Sequence, residues 1–440
     1  MCHCCVESIK GSIINCGDSL PAAGNRSHRR ILQEQYAGPA GRIDQAGKSS
    51  MQASHIARHR AEPCNLVCSA ESTRREVTID WQDGHRSVFH PVWLRDNCSC
   101  NECGDHSGGH RFFELNMLPD NLANRVSCSD GMINIEWLAD GHVTSYDPGW
   151  LRSHCQSDEE RRKRRPQPEL WDATLAEDLP QADYAIAQSS RSELLKLYNA
   201  VRTYGICLLR NVPARPEATE EIAGLLSFIR ETHYGRVFEI VSTADPAVIA
   251  NAPVPLRPHT DENFREPPPG IMIFHSIKAS EDGGGESVMT DGFKLASDFK
   301  INHPADYELL TRVPVPHRRF IDNAGLRAEA PVIKLDYFGE VCEFRLNERT
   351  MGPIDLPADL IEPVYSALAK LFQCSYDSKY HMHYLLKGGE ALVFDNARVL
   401  HARTGFNGDR HVRLTHVGSD EFYSRWRQLR HELNGDLNLI

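Results

Sequence analysis

The sequence predicts a mainly β protein with flanking helices, in which a barrel or jelly roll follows a smaller β module. Beyond residue 235, short apolar runs such as IMIFHSI, PVIKLDYF, ALVFDN and VRLTHV alternate with Gly, Pro, Asn and Asp, as in folds made of short strands. Upstream, two similar segments have the pattern of hairpins. The composition, 41% hydrophobic and 25% charged over 440 residues, is that of a soluble globular protein.

Residues 1–72 are expected to form a disordered extension, because they show neither helical periodicity nor strand alternation. Met51 is an alternative translation start to Met1. We expect a cytoplasmic protein, or a mitochondrial one if residues 1–50 are a genuine targeting segment. Since no secretion signal is evident, the 14 cysteines should stay reduced, and clustered cysteines then indicate metal binding rather than disulfides.

The charge and hydropathy of the chain limit the kinds of partner that it is expected to bind. A net charge of −11 disfavours a nucleic-acid binder, which needs a basic surface to displace counterions. No run approaches the ~18 apolar residues of a membrane span. A small-molecule partner is therefore expected, with neither nucleic acid nor membrane.

Residues 73–158 contain a repeated hairpin. VTIDWQDGHRSVF begins at Val77 and INIEWLADGHVTSY at Ile133, and each is followed by Trp-Leu-Arg. EERRKRRPQPELWD then indicates a solvated linker over 159–178, although its basic run could also suggest nuclear import or nucleic-acid contact. Residues 179–440 form the main domain, in which SELLKLYNAVRTYG has helical periodicity and ICLLRNVP has the pattern of a buried strand.

Three closely spaced cysteines follow the first hairpin. Cys98, Cys100 and Cys103 could converge on one ion if the backbone turns tightly, and a tetrahedral zinc site needs a fourth ligand. The candidates for it are His106, His110 and His142. We favour His142, because it lies in the turn of the second hairpin, where a shared metal ion would join the two halves of the module. Four protein ligands would make such a zinc structural.

A second constellation combines His259, Asp261 and His401. On a strand, residues i and i+2 point to the same side, so His259 and Asp261 could bind one ion together with His401 at the end of a later strand. Two histidines and one carboxylate form the facial triad of non-haem Fe(II) oxygenases, which leaves positions for a 2-oxo acid and O2. His381 and His383 are a rival pair without a matching acid. A water-activating metal hydrolase and a non-catalytic binding module are the alternative classes.

If 2-oxoglutarate is the co-substrate, its distal carboxylate needs a buried cation, and arginine offers a bidentate fork. Arg403, Arg410 and Arg413 all follow His401. Their positions in the sequence do not show which of the three binds the carboxylate.

From about residue 76 onward, the chain resembles the γ-butyrobetaine and trimethyllysine dioxygenases, within the taurine dioxygenase-like superfamily of Fe(II)/2-oxoglutarate enzymes. The motifs that carry the resemblance are WLRDNCSCNEC, HTD followed by PPG, GGGESVMTDGF, FDNARVLHAR and SRWRQLR. The resemblance implies a double-stranded β-helix catalytic domain behind a small N-terminal zinc-binding β domain, and a homodimer.

The resemblance also implies roles for individual residues. It assigns iron ligation to His259, Asp261 and His401, and selects Arg410 for 2-oxoglutarate, with Ser287 near the same co-substrate. Zinc ligation falls on the cluster of cysteines together with one histidine: Cys98, Cys100, Cys103 and His142.

The substrate pocket departs from the family pattern. γ-Butyrobetaine enzymes surround the trimethylammonium group with aromatic rings, and those positions here are Tyr234, Phe238, Asn251 and His416. The residue after the His-Thr-Asp triplet, usually aromatic, is Glu262. We expect γ-butyrobetaine hydroxylation, of the carnitine-biosynthesis type, as the nearest activity, and hydroxylation of another small amine, betaine or aminophosphonate as the alternative.

Overall fold

A computed structural model gives the fold of residues 67–73, 75–105, 110–112, 114–117, 123–241, 251–321 and 324–434. The disorder expected for residues 1–72 therefore falls mostly outside the described residues. At its end the expectation was wrong, because Val67–Ser72 forms strand β1. Backbone pairing with the next strand orders this segment despite its weak sequence pattern.

The N-terminal module is built mainly of strands. After β1 its elements are β2 (Val77–Trp81), β3 (Arg86–Phe89), α1 (Pro91–Asp96), β4 (Gly104–Asp105), β5 (His110–Arg111), β6 (Ala123–Ser129), β7 (Met132–Trp137), β8 (Val143–Tyr146) and α2 (Pro148–Ser153). They form two three-stranded antiparallel sheets, β1-β2-β3 and β6-β7-β8, each followed by a short helix, and a short β4–β5 pair.

The two hairpins of the module are cross-connected by ion pairs. Arg95 on α1 lies 3.1 Å from Asp140 in the second hairpin, and Arg152 on α2 lies 3.3 Å from Asp83 in the first. Each helix therefore binds the turn of the other repeat. One shared apolar core, which includes Ile79 and Trp137 among others, joins the halves.

The segment after the module contains a helix with no buried residue, and it also contacts the main domain. Helix α3 spans Asp158–Lys163. The guanidinium groups of Arg161, Arg162 and Arg165 lie 5.0, 5.5 and 5.1 Å from the ring centroid of Phe338. Cation–π contacts thus hold the connector against the main domain.

The main domain has two facing sheets flanked by helices. Its elements in chain order are β9 (Gln181–Asp183), α4 (Tyr184–Ala187), α5 (Arg191–Tyr204), β10 (Ile206–Arg210), α6 (Ala218–Leu226), β11 (Phe238–Val241), β12 (Leu256–His259), β13 (Ile271–Lys278), β14 (Ser287–Asp291), α7 (Gly292–Asn302), α8 (Pro304–Arg312), β15 (Pro314–Ile321), β16 (Ala324–Pro331), β17 (Ile333–Leu335), β18 (Val341–Phe344), α9 (Ala358–Ser375), β19 (Met382–Tyr384), β20 (Glu390–Asp395), β21 (Val399–Arg403), β22 (His411–Val417) and α10 (Ser419–Asn434).

The larger sheet has the order β11-β22-β13-β20-β10-β9, and the smaller has the order β12-β21-β14-β19. Side chains from both sheets, including Met272, Phe394 and Met289, fill the layer between them. This two-sheet arrangement agrees with the expected jelly roll. Its interior is the place where residues from β12, β21 and β22 can meet.

Helices α5, α6 and α10 cover the outer face of the larger sheet. On α5 the buried residues include Leu194, Leu197, Tyr198 and Val201, which follow the i, i+3, i+4, i+7 spacing of one helical face. Ser190 caps the first turn of this helix, and Gly205 ends it with φ of +77°. This packing fixes the larger sheet from outside.

A buried ion pair ties four segments together behind the smaller sheet. Arg398 donates to both carboxylate oxygens of Asp291, at 3.0 and 2.9 Å, and to the carbonyl oxygens of Thr203 and Glu169. Both side chains of the ion pair are at most 3% exposed. A bidentate pair with its remaining donors satisfied is the form in which a buried charge is tolerated.

Candidate active site

Two histidines face each other on paired strands. His259, the last residue of β12, is the direct cross-strand partner of His401 on β21. Opposed residues of an antiparallel pair project to the same face, and the two ring centroids are 4.3 Å apart. The strand register therefore brings the two imidazoles together. His401 lies in the middle of its strand, rather than at the end as expected.

Asp261 reaches these histidines from beyond the strand. The alternation expected for His259 and Asp261 along one strand was wrong, because β12 ends at His259. A turn delivers the carboxylate instead. Its oxygens lie 3.4 Å from His259 Nε2 and 3.5 Å from His401 Nε2. The three side chains form one group of ligand atoms.

Buried hydrogen bonds hold this turn. Asn396 Oδ1 accepts from the Asp261 amide at 2.8 Å, and Asn396 Nδ2 donates to the Asp261 carbonyl at 3.0 Å. Thr260 exchanges bonds with the backbone of Leu346: its amide donates to the carbonyl at 2.8 Å, and its hydroxyl accepts from the amide at 2.9 Å. The carboxylate thus has a fixed position without belonging to a strand.

The protonation states suit a metal. His259 Nδ1 lies 2.8 Å from the carbonyl oxygen of Arg257, which can only accept, so Nδ1 carries the proton and Nε2 presents a lone pair. Burial lowers the pKa of His259 to about 4. Burial acts to raise the pKa of Asp261, but His401 and His259 outweigh it and hold that pKa well below its usual range. A carboxylate and a neutral imidazole are the forms that bind a divalent cation.

The three candidate arginines have different surroundings. Arg413 Nε lies 2.7 Å from Glu239, and Arg403 donates to two backbone carbonyls within 252–254. Arg410 is 8% exposed, and no carboxylate of the described residues lies against it. Burial and the charge of Arg403 lower the pKa of Arg410 to about 10, so it remains a cation at neutral pH. Of the three, Arg410 is the buried charge that an added carboxylate would balance.

A glycine leaves room beside Arg410. A Cβ atom on Gly285 would lie 3.2 Å from both Cδ and Nε of Arg410, and the φ of Gly285 is +75°. Ser287, two residues later, is buried at the start of β14 and faces Arg403 across the pair with β21. The GGGES segment therefore borders the guanidinium of Arg410 closely.

Two of the predicted substrate residues lie on the inner face of the larger sheet. Phe238 is paired with Leu414 and His416 with Met272, and both partners belong to the layer between the sheets. Tyr234 packs edge-on against Phe238 with centroids 5.4 Å apart. These rings border the interior that the three candidate ligand residues also reach.

Two of the predicted substrate residues have a buried polar atom without a hydrogen-bond partner among the described residues, namely Nε2 of His416 and Oδ1 of Asn251. Burial, reinforced by Arg230, lowers the pKa of His416 to about 4, so its imidazole is neutral. Unsatisfied buried polar atoms are costly, and a polar ligand would satisfy them.

Glu262 is not a solvated rim residue, because its side chain is only 11% exposed. It takes φ of +51° and forms an ion pair with Arg265, which also contacts His233. Burial raises the pKa of Glu262 in spite of Arg265. The ring of His233 in turn contacts that of Tyr234 in a tilted arrangement, with centroids 3.8 Å apart. The charge of Glu262 is thus partly neutralised before any substrate arrives.

The rival histidine pair does not form a metal group in the described part of the chain. His381 precedes β19 and contacts the carbonyl of Ser375, and His383 pairs with Glu286 at 3.1 Å. Their rings are 6.3 Å apart. A cavity of about 820 Å³ between α8 and β16–β17 is also separate, since its lining contains none of the three ligand residues.

The cysteines cluster around one histidine in the N-terminal module. Nε2 of His142 lies 3.2, 3.6 and 3.8 Å from the sulfurs of Cys98, Cys100 and Cys103. A tetrahedral zinc with ordinary bond lengths would separate nitrogen from sulfur by about 3.5 Å. Of the other candidates, His110 is exposed and His106 lies outside the described residues.

Comparison with known proteins places the chain in a family. The profile of the taurine catabolism dioxygenase TauD, TfdA family matches residues 164–416, and a γ-butyrobetaine hydroxylase-like N-terminal profile matches residues 68–126. The chain belongs to the TauD, TfdA family. The expected dioxygenase class and the mainly β jelly roll with helices are thereby confirmed.

Individual relatives align with this chain over most of their own length. The chain is 36% identical to a γ-butyrobetaine dioxygenase of Pseudomonas sp. (strain AK-1) over 84% of this chain and 98% of that protein. It is 30% identical to a trimethyllysine dioxygenase of Meyerozyma guilliermondii, over 79% and 92%. A mitochondrial trimethyllysine dioxygenase of Mus musculus is 29% identical over 85% and 93%. The resemblance inferred from the motifs is confirmed.

Three residues at this site escaped the sequence analysis: Asn396, Arg265 and His233. Asn396 lies inside the FDNARVLHAR motif, so its position was a usable signal. Arg265 and His233 have no comparable signal, because their contacts depend on how the turn after β12 folds. No helix of the described residues is long and apolar enough to cross a membrane.

Proposed function

We propose that this member of the family is an Fe(II)- and 2-oxoglutarate-dependent dioxygenase that hydroxylates an unactivated C–H bond of a small molecule. The observation that carries the proposal is the convergence of His259, Asp261 and His401 in the same interior as the buried cation Arg410. Two neutral imidazoles and one carboxylate are the ligand set of non-haem Fe(II) oxygenases.

The donor set fits iron without rearrangement of the turn. His259 is fixed in the tautomer that offers Nε2, and Asn396 fixes the backbone of Asp261. When bound, Fe(II) with O2 and 2-oxoglutarate supplies an oxidation that yields succinate and CO2 and leaves one oxygen atom on the substrate carbon. Phe274 and Phe394, with centroids 5.2 and 5.4 Å from that of His401, keep water away from the ligands.

We assign the distal carboxylate of 2-oxoglutarate to Arg410. The guanidinium is buried and has no acidic partner among the described residues, whereas Arg413 already pairs with Glu239. Ser287 is the nearby hydroxyl that would assist. An anion that enters this region gains a charge-assisted bidentate contact, and it also removes the cost of a buried, unbalanced cation.

The substrate end is assigned to Tyr234, Phe238, Asn251, Glu262 and His416. The two rings offer a face to a cationic nitrogen. Asn251 Oδ1 offers an acceptor that a trimethylammonium group, which lacks N–H donors, cannot use, and His416 Nε2 is a second polar atom without a partner among the described residues. γ-Butyrobetaine remains the nearest named substrate, and the unsatisfied acceptor of Asn251 favours another small amine, betaine or aminophosphonate.

We further propose that the cluster of three cysteines and His142 holds a structural zinc. Burial lowers the pKa of His142, which keeps the imidazole neutral and available to a metal. A zinc there would join the segment after α1 to the turn of the second hairpin and so stabilise the module.

Replacing either His259 or Asp261 by Ala should reduce substrate-coupled succinate formation to background, because two ligands cannot hold the iron in place. Circular dichroism should show an unchanged fold, and His381→Ala should keep parental turnover as a matched control. A His259→Ala enzyme that still decarboxylates at the parental rate would refute the iron assignment. Turnover without O2 and 2-oxoglutarate would favour a hydrolase instead.

Arg410→Met should raise the KM for 2-oxoglutarate by roughly 10- to 100-fold, the equivalent of one charge-assisted contact. Arg413→Met is the control, since this arginine already has Glu239 as its partner, and its KM should change by less than about threefold. Steady-state kinetics of succinate release measure both values. A larger effect from Arg413→Met than from Arg410→Met would reverse the assignment.

Cys100→Ser should remove about one zinc per chain and lower the thermal midpoint, since the remaining ligands cannot close a tetrahedral site. Cys128→Ser is the matched control, because this exposed cysteine of the same module lies outside the cluster. Elemental analysis measures zinc, and scanning calorimetry measures the midpoint. Zinc retained in full by Cys100→Ser would be inconsistent with the proposed site.

A panel of γ-butyrobetaine, its less methylated amines and small aminophosphonates should separate the two substrate classes. We expect a compound that bears an N–H donor to give a higher kcat/KM than γ-butyrobetaine, because it can satisfy the Oδ1 acceptor of Asn251. Succinate release across the panel measures this ratio. If γ-butyrobetaine gives the highest kcat/KM, the rings of Tyr234 and Phe238 are enough to bind the substrate, and the unsatisfied polar atoms do not determine substrate specificity.

A further inference from the structure

The β15–β16 ribbon carries an arginine on the face that it turns inward. Side chains of a strand point alternately to its two faces. On β15, His317 is 3% exposed and Arg319 is partly buried, whereas Arg318 and Phe320 are exposed. His317 and Arg319 therefore share the inner face of the ribbon, and Arg318 lies on its outer face.

The inner face of the ribbon contacts the segment that follows β18. His317 Nδ1 lies 2.9 Å from the hydroxyl oxygen of Thr350 in that segment. The same segment contains Leu346, whose backbone exchanges hydrogen bonds with Thr260. It thus connects the ribbon to the turn that carries Asp261.

Arg319 lies close to two rings at the substrate end of the candidate site. The rings of His233 and Tyr234 are in contact, with centroids 3.8 Å apart. Burial raises the pKa of Tyr234, and the guanidinium of Arg319 acts against this rise because it stabilises the phenolate. Burial also lowers the pKa of His233, and the charges of Arg265 and Arg319 lower it further. One guanidinium therefore acts on both rings.

The charge of Arg319 is not balanced by an ion pair with any carboxylate of the described residues. Its Nε is buried and has no hydrogen-bond partner among them. Across the ribbon it faces Leu326, and Arg265, the other arginine beside these rings, already pairs with Glu262. A partly buried cation with an unused donor is costly, and an anion would offset both the charge and the donor.

We propose that Arg319, together with the hydroxyl of Tyr234, binds an anionic group of the substrate, either a carboxylate or a phosphonate. The inference rests on the proposed dioxygenase function. A guanidinium offers two parallel N–H donors to such a group, and the phenol adds an O–H donor. Because Arg265 pairs with Glu262, that carboxylate repels the incoming anion less than a free one would.

The assignment of Arg319 narrows the substrate class. A simple amine would leave this guanidinium without a counter-charge, whereas a zwitterion balances it and still presents its nitrogen to the ring faces and to Oδ1 of Asn251. Arg319 thereby selects amino acids, betaines and aminophosphonates over amines that lack an anionic group.

Calorimetric titration of the full chain, with 2-oxoglutarate present and O2 excluded, tests the contact. The probes are 3-aminopropylphosphonate against propylamine, and γ-butyrobetaine against butyltrimethylammonium, so that each pair differs in the anionic group. We expect at least one anionic probe to bind roughly tenfold or more tightly than its counterpart, the worth of one charge-assisted contact. Arg319→Met should abolish this preference, and Arg319→Lys, which keeps the charge, should retain part of it. Arg318→Met, on the outer face of the same strand, should bind as the parent does.

Three results would overturn the proposal: no saturable binding of either anionic probe, equal affinities within both pairs, or equal losses in Arg318→Met and Arg319→Met. In kinetics, Arg319→Met should raise the KM for an anionic substrate and leave the KM for 2-oxoglutarate unchanged, which separates this contact from that of Arg410. The binding test does not depend on turnover. A chain that binds the anionic probes through Arg319 but never consumes 2-oxoglutarate would support the contact and contradict the proposed reaction.

Discussion

The register between β12 and β21 is the constraint on which the candidate site depends. It sets His259 directly opposite His401, so that both imidazoles project to one face. A slip by one residue would turn His401 to the other side of the sheet. The register is secured by burial, because every residue of β21 is buried and β14 pairs along its other edge. The geometry of the ligand pair is therefore a property of the core packing.

The third candidate ligand, Asp261, relies on a different kind of support. Asp261 lies outside any strand, and its position depends on Asn396 and on the exchange between Thr260 and Leu346. The histidines are thus placed by strand register, whereas Asp261 is placed by one side-chain amide and one buried threonine that contact other segments. Glu262 and Arg265, the first residues on the substrate side, follow this turn directly.

The sequence was sufficient for the sheet-rich fold and for naming two groups of candidate ligands whose side chains lie together in the structure, because these follow from strand periodicity and from rare residue types at informative spacings. It misplaced Asp261, since alternation holds only while a strand continues. Sequence position could not show which of the three arginines is available to the co-substrate, because this depends on distant partners such as Glu239, 174 residues from Arg413. The burial of Glu262 and the stacking of the connector on Phe338 depend likewise on tertiary contacts that local patterns do not encode.

The crossed ion pairs of the N-terminal module have a consequence for its folding unit. Arg95 of the first repeat binds Asp140 of the second, and Arg152 of the second binds Asp83 of the first. Neither repeat can therefore be completed by its own chain segment, and a hairpin with its helix excised from the module would lack the partner for its turn. The duplicated sequence thus yields a single cooperative unit, in which damage to one turn weakens the helix that belongs to the opposite repeat.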